Sequence, residues 1–208
     1  MIRMRACAAA LALPLAMVHQ GCAQQTVAEQ YAGALTYRQF VASDAGRSAE
    51  WTRAYENAKA TVDAALPRAR AFPGHWHLFV VAESWCSDAM ASVPYLARLA
   101  DEDSALDLRL LRRADAQAML QSHLFKGRAA TPLVVLYDDQ FVERGVWIER
   151  PAALRAFIAE RSGKLDDDGL SGAIREWRAK DAGRSVLVEI LSLLEPRSCR
   201  EGGDDCTP

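Results

Sequence analysis

The chain has 208 residues, of which 50% are hydrophobic and 25% are charged, and its formal net charge is −2. This length accommodates one substantial domain with attached segments, and the balance of residues is typical of a globular protein. Because the sequence has neither a basic excess nor a basic stripe, the composition excludes a protein that binds nucleic acid through charge.

The first 23 residues have the pattern of a secretory signal peptide. Residues 1–5 include two arginines, residues 6–18 are mostly apolar, and residues 21–23 supply the small side chains that precede a cleavage site. The apolar run is shorter than the roughly 20 residues that span a bilayer. We therefore expect residues 1–23 to be removed, the mature protein to begin near Gln24, and the protein to be periplasmic or secreted.

A lipid anchor at Cys22 is an alternative to simple cleavage of this segment. Gly21 directly precedes the cysteine, as it does in lipoproteins, but His19 stands where the lipoprotein motif normally has leucine. We therefore expect contact with a membrane only if Cys22 is lipidated.

The predicted export determines which cysteines remain in the mature protein and whether they can form disulfides. Of the five in the sequence, Cys86, Cys199 and Cys206 would remain in an oxidising compartment. The last two flank a short polar loop with two glycines, which lets its ends meet. We expect Cys199 and Cys206 to form a disulfide and Cys86 to remain the odd thiol. Spacing does not determine connectivity, so the other pairings stay open.

Residues 24–74 are predicted to form a helical N-terminal extension. Side chains recur at helical spacing at Trp51, Tyr55, Ala58 and Val62. Ser48 is the predicted N-cap of this helix. Pro67 and the cluster at residues 72–74 are predicted to end the segment.

Residues 75–162 are predicted to form the core, and residues 163–208 a helical C-terminal extension with a cysteine-containing tail. The core pattern predicts strands at 77–82, 106–112, 133–137 and 141–147 and helices at 88–100, 114–125 and 151–161. Their order is β-α-β-α-β-β-α. The C-terminal extension is predicted to contain a polar linker at 166–169 and helices near 170–180 and 184–194.

The tetrapeptide Trp85-Cys86-Ser87-Asp88 stands between the first predicted strand and helix of the core, and Thr131-Pro132 introduces a later strand. This layout resembles the active site of the thioredoxin superfamily. With residues 108–113 and 147–151, it is similar more narrowly to a bacterial thioredoxin-like family with a Trp-Cys-Gly-Asp motif. The resemblance covers about residues 77–160 and implies an α/β thioredoxin fold. Ala89 stands where the usual second cysteine would be, so only one thiol is available.

The resemblance implies that Cys86 and Asp88 are the catalytic residues. A helix N-terminus favours the thiolate of Cys86 through its unpaired N–H groups and its dipole, whereas the Asp88 carboxylate opposes that charge. The alternatives are a helix N-cap for Asp88 and a buried, unreactive side chain for Cys86.

Trp85, Thr131 and Pro132 are the expected substrate-binding residues. In the fold that the chain resembles, a cis-proline loop lies against the reactive cysteine and presents its backbone to an extended substrate. A cis peptide bond before Pro132 is therefore implied. An ordinary trans proline at the start of an edge strand is the alternative.

No metal or cofactor is expected. His75 and His77 would share one face of a strand, and with Cys86 they suggest a copper or zinc site, but no further ligand motif accompanies them. The hydrophobic core is expected to include Phe79, Val134 and Trp147.

Two functions fit these residues. The first is an exported protein that uses Cys86 alone for thiol–disulfide exchange or redox sensing, with proteins or low-molecular-weight thiols and disulfides as partners. The second is a non-catalytic binding module that uses the groove between Cys86 and Pro132 for a peptide or protein. A lone thiol needs an outside thiol to release a mixed disulfide. The sequence therefore predicts poor reduction of protein disulfides and leaves enzymatic activity open.

Overall fold

The computed structural model describes residues 25–195. The predicted signal peptide and the predicted disulfide between Cys199 and Cys206 lie outside these residues. No helix between residues 25 and 195 is long and apolar enough to cross a membrane.

Helices precede, alternate with and follow four strands along the chain. The N-terminal helices are α1 (Val27–Gly33), α2 (Tyr37–Ala42), α3 (Ser48–Asn57) and α4 (Lys59–Ala69). The central elements are β1 (Trp76–Val81), α5 (Ser87–Met90), α6 (Val93–Glu102), β2 (Leu106–Leu111), α7 (Gln117–Ser122), β3 (Leu133–Tyr137), β4 (Glu143–Ile148) and α8 (Ala152–Arg161). The C-terminal helices are α9 (Asp167–Asp181) and α10 (Arg184–Leu193).

The four strands form one sheet in the order β2-β1-β3-β4. Strand β1 runs parallel to β2 and antiparallel to β3, and β4 is antiparallel to β3. The parallel pair requires a crossover, which α5 and α6 provide. The predicted α/β thioredoxin fold, with its helical extensions, is confirmed.

Alternate side chains of the two central strands enter hydrophobic clusters on opposite faces of the sheet. One cluster contains Leu78, Val80, Val134 and Leu136, and the other contains Phe79, Val81, Leu133 and Val135. Side chains of a strand alternate between its faces, so continuous apolar runs are required where helices cover both sides. This arrangement explains why β1 and β3 are so strongly hydrophobic in sequence.

Helices from both extensions pack on one face of the sheet. Phe40 and Trp51 of the N-terminal helices and Leu187 and Leu191 of α10 belong to the same cluster as Leu78, and all are almost fully buried. Burial of apolar surface is the main favourable contribution to folding. Both extensions therefore share the hydrophobic core of the sheet.

The single helix predicted at 88–100 is wrong, because two helices are present. Helix α5 ends at Met90, Ser92 leaves helical geometry at φ −129° and ψ −49°, and α6 begins at Val93. Pro94 lies in the first turn of α6, where its missing N–H costs nothing, but it restricts the backbone before it. The break leaves Cys86 at the start of a helix of only one turn.

The predicted N-cap of one helix in the N-terminal extension is also wrong. Arg47 occupies the N-cap position of α3, and Ser48 is the first residue of the helix, with its hydroxyl donating to the Ala45 carbonyl. Pro67 does not end α4, which continues to Ala69. The loss of one hydrogen bond in the last turn is tolerated because Ala69 and its neighbours on that face are buried in the core.

Candidate functional site

Cys86 lies where β1 turns into α5. It occupies the N-cap position of that helix with extended backbone angles, and its N–H donates to the Glu83 carbonyl at 3.0 Å. Only 9% of Cys86 is exposed, whereas the preceding Trp85 is 64% exposed. An exposed indole therefore stands beside a sulfur that is largely covered.

The loop before β3 covers the sulfur of Cys86. The Thr131–Pro132 peptide bond is cis, as the resemblance implied, so the alternative of an ordinary trans proline is wrong. The Cys86 Sγ lies 3.6 Å from the Thr131 carbonyl oxygen and 3.9 Å from the Thr131 hydroxyl. The structure thus brings together the predicted site residues on two loops that are 45 positions apart in sequence.

The N-terminal helices hold the loop that precedes Cys86. The buried indole of Trp51 donates to the Ser84 carbonyl at 3.1 Å, and Arg47 donates to the Trp85 carbonyl at 3.4 Å. The Ser84 hydroxyl donates to Asp44 at 2.5 Å, and this hydrogen bond lowers the pKa of Asp44 below its ordinary value. Three contacts from one extension therefore fix the backbone beside the thiol.

Asp88 is not the N-cap of α5, because Cys86 occupies that position. The Asp88 carboxylate is buried and accepts two hydrogen bonds from Arg150, at 2.8 Å from Nε and 2.9 Å from Nη2. Arg178 of α9 donates to the same carboxylate. Two guanidinium groups therefore surround the negative charge that the sequence placed near Cys86.

Both arginines also interact electrostatically with the Cys86 sulfur. Hydrogen bonding to Asp88 raises the pKa of Arg150 above its ordinary value, and the charges of Asp88, Glu149 and Cys86 act in the same direction. Burial lowers the pKa of Arg178 below its ordinary value, while the charges of Asp88 and Cys86 act in the opposite direction. Arginine stays protonated in proteins at neutral pH, so each side chain supplies a full positive charge here.

A strained turn connects the cis-proline loop to Arg150. Glu149 has a φ of +67°, and the Arg150 N–H donates to the Ile148 carbonyl at 2.8 Å, which closes a three-residue turn. The Glu149 N–H donates to the Pro132 carbonyl at 2.7 Å, and its carboxylate pairs with Arg128. A positive φ is costly for a non-glycine residue and persists only when surrounding contacts impose it.

Sequence reasoning assigned no role to either arginine. Arg150 falls inside the motif at 147–151, and its position directly after a strand was a usable signal. Arg178 carried no such signal, since it is one of several charged residues in a polar helix. It reaches Asp88 only because α9 packs beside α8, where Trp177 contacts Phe157.

The two histidines do not form a metal site with Cys86. His77 lies near the start of β1, at the opposite end of the strand from Cys86, and its ring stacks on Phe141 with centroids 4.4 Å apart. His75 contacts His77 edge to face. Within residues 25–195 no group of three or more His, Cys, Asp or Glu side chains could hold a metal ion.

The remaining predicted positions are buried. Phe79 and Val134 are fully buried in the core, as expected, and Trp147 is buried with its indole donating to Glu189 at 2.7 Å. Ala89, at the position of the usual second cysteine, is also fully buried. The arrangement therefore offers one thiol that could form a mixed disulfide and no neighbouring thiol among the described residues that could release it.

Comparisons with known proteins agree with this geometry. A family model described as thioredoxin matches residues 34–164. A crystal structure of a protein of unknown function from Pseudomonas aeruginosa is 21% identical, with a TM-score of 0.67, and covers 82% of this chain and 98% of its own. An HIV epitope-scaffold is 19% identical, with a TM-score of 0.65 and the same coverage. No curated protein matches the sequence.

Identities this low show a shared fold and nothing about activity. The family match is stronger evidence of family membership, because it spans more than half of the chain and includes both Cys86 and the cis-proline loop. This chain belongs to the thioredoxin family.

Proposed function

We propose that this protein is an exported thioredoxin-like protein that uses Cys86 as a single thiol for thiol–disulfide exchange or redox sensing. The observation that carries the proposal is the position of the Cys86 sulfur, 3.6 Å from the carbonyl of Thr131 in the cis-proline loop. The exposed Trp85 beside it offers an apolar surface to a disulfide-bearing partner. Protein disulfides or low-molecular-weight thiols and disulfides are the proposed partners.

The proposed exchange proceeds through a mixed disulfide. The Cys86 thiolate attacks one sulfur of the partner disulfide, a new bond forms to that sulfur, and the other sulfur leaves with the electron pair as a thiolate. A second thiol, from solution or from the partner, then attacks the mixed disulfide and restores Cys86. Because Ala89 offers no internal thiol, this second step depends on the concentration of the outside thiol.

Mixed-disulfide formation with oxidised glutathione tests the proposal. We expect intact mass to show one glutathione on the native protein and none on Cys86→Ser. A Cys199→Ser/Cys206→Ser variant is the matched control, because it removes the tail cysteines and should retain the adduct on Cys86. Reduction of insulin with a thioredoxin reductase system should be slow, and robust reduction that survives Cys86→Ser would contradict the proposal.

The proposed export has its own tests. The N-terminal sequence motivates cleavage near Gln24, and an intact Met1 on protein from the native host would contradict it. An acylated Cys22 would instead establish the lipoprotein alternative. Peptide mapping without reduction tests the disulfide proposed between Cys199 and Cys206, and a link from either to Cys86 would reverse that assignment.

A non-catalytic binding module is the second candidate function, and the low exposure of Cys86 favours it. A disulfide must approach the sulfur directly, but only 9% of Cys86 is exposed, while the neighbouring Trp85 is open. If Cys86 reacts with thiol reagents only after denaturation, the groove serves binding and the exchange proposal fails.

A further inference from the structure

Three charged side chains from separate parts of the chain meet beside Cys86. Asp88 belongs to the helix that Cys86 begins, Arg150 follows β4, and Arg178 comes from α9 in the C-terminal extension. Arg150 binds both carboxylate oxygens of Asp88, and Arg178 binds one of them. One carboxylate therefore faces two guanidinium groups, so this cluster carries one positive charge that its own members do not neutralise.

Among the described residues, the other charged groups around the site have partners of their own, although the charge of Glu149 also acts on Arg150. Three ion pairs border it: Arg47 with Glu50, Arg112 with Glu83, and Arg128 with Glu149. Asp44 accepts the hydrogen bond of Ser84 and faces the Arg112 side of the loop. On the side of Arg178, Asp181 accepts from Ser185, and Glu189 accepts from Trp147 and from a backbone N–H.

We propose that Arg150 and Arg178 are positioning residues for Cys86, and that the positive charge which Asp88 leaves unneutralised stabilises the Cys86 thiolate. This inference rests on the proposed function and deepens it. With Cys86 ionised, two positive and two negative charges balance within the cluster. With Cys86 protonated, the cluster keeps a partly buried positive charge that its own members do not balance, which is unfavourable in a low-dielectric environment.

The inference makes the C-terminal extension part of the site. Arg178 lies beyond residue 164, where the family match ends, and its side chain is more buried than that of Arg150. Helix α9 is held in place by contact of Trp177 with Phe157 and by the close approach of Gly183 to Tyr95. The reactivity of Cys86 is therefore set partly by a helix that the family pattern does not include.

Alkylation of Cys86 by iodoacetamide across pH tests this role, with peptide-resolved mass spectrometry on the full chain to separate Cys86 from the other cysteines. At pH 7 we expect Arg178→Met to slow alkylation of Cys86 about five-fold and to move the pH profile upward by somewhat less than one unit. Arg178→Lys, which keeps the charge, should restore most of the rate. Arg175→Met removes an exposed arginine from the same helix and should leave the profile unchanged.

A structural role alone predicts a different result. If Arg178→Met lowers the unfolding midpoint but leaves the pH profile of alkylation unchanged, the inference is wrong. Should that variant fail to fold, Arg178→Gln carries the same test, because its amide can still donate to Asp88 without the charge. Failure of the proposed exchange can be told apart from failure of this inference. If the Arg178 variants change the pH profile of alkylation as expected but the wild-type protein forms no glutathione adduct, the exchange is contradicted and the charge effect is supported.

Discussion

Gly183 is the position where a single methyl group should most disturb the attachment of the C-terminal extension. It lies between α9 and α10 with a φ of +76°, directly after Ala182, which is also left-handed at +48°. A Cβ on Gly183 would lie 2.5 Å from the Cγ and Cε1 atoms of the Tyr95 ring. We expect Gly183→Ala to destabilise the protein for both reasons.

The magnitude follows from two separate costs. A left-handed conformation costs a non-glycine residue about 1–2 kcal/mol. Overpacking of a tight contact costs about 1–3 kcal/mol, because the Tyr95 ring must move from its place on α6. The sum is about 2–5 kcal/mol, which for a chain of this size lowers the Tm by on the order of 10 °C.

Thermal and urea denaturation followed by circular dichroism measure this loss, and Gly172→Ala is the matched control. Gly172 lies inside α9 with only the Arg175 side chain near its added methyl group, at 3.7 Å. Alanine is the better helix former, so this variant should gain about 0.5–1 kcal/mol. If Gly183→Ala unfolds at the wild-type midpoint, the argument from backbone conformation and ring contact is refuted.

Three further predictions concern the site and the far end of β1. Asp88→Asn should speed the alkylation of Cys86 at pH 6–7, because it removes a carboxylate from beside the thiol. The same variant should lower the free energy of unfolding, measured by urea denaturation, by on the order of 3 kcal/mol, because two partly buried guanidinium groups lose their charged partner. An unchanged rate would mean that Asp88 exerts no field on the sulfur. Ala89→Cys should raise insulin reduction above the wild-type rate, since an internal second thiol resolves the mixed disulfide at a high effective concentration; a verified free thiol at this position with no added activity would mean that the groove excludes disulfides. Burial lowers the pKa of His77 below its ordinary value, so the unfolded chain binds this proton more readily, and stability falls as pH drops below about 6.5. The variant His77→Phe, which can keep the stacking on Phe141, should lose less stability than the wild-type protein as the pH falls below about 6.5. Urea titrations at several pH values measure this difference, and equal losses in the two proteins would show that His77 is not the source of the pH dependence.

The fold and the place of Cys86 could be derived from local patterns in the sequence. The apolar runs of β1 and β3 predict buried strands, because side chains that face helices on both sides of a sheet must all be hydrophobic. Cys86 follows the first of these runs directly, so its place at a strand-to-helix turn required no knowledge of distant residues. The cis bond before Pro132 came from the resemblance, since proline alone favours the trans isomer.

Boundaries were less predictable where competing local preferences were nearly balanced. Ser48 is a good N-cap by residue type, yet α3 begins at that residue because the preceding backbone places Arg47 in the cap position. Pro67 is a strong helix breaker, but the burial of Leu66 and Ala69 in the core outweighs the loss of one hydrogen bond near the helix end. The surrounding packing therefore decided the outcome at Pro67, and the backbone of the preceding turn decided it at Ser48.

The electrostatic environment of the candidate site was decided by the tertiary structure alone. Asp88 and Arg178 are 90 positions apart, and Trp51 and Ser84 are 33 apart, so no periodicity or motif could connect them. Trp51 reaches Ser84 because α3 buries an apolar face in the core. Arg178 reaches Asp88 because α9 packs beside α8. In each case the packing also determines where the polar residues on the helix point. The spacing of hydrophobic residues can be observed within one local stretch of sequence. The charge beside a thiol, in contrast, depends on which distant segments the packing brings to it.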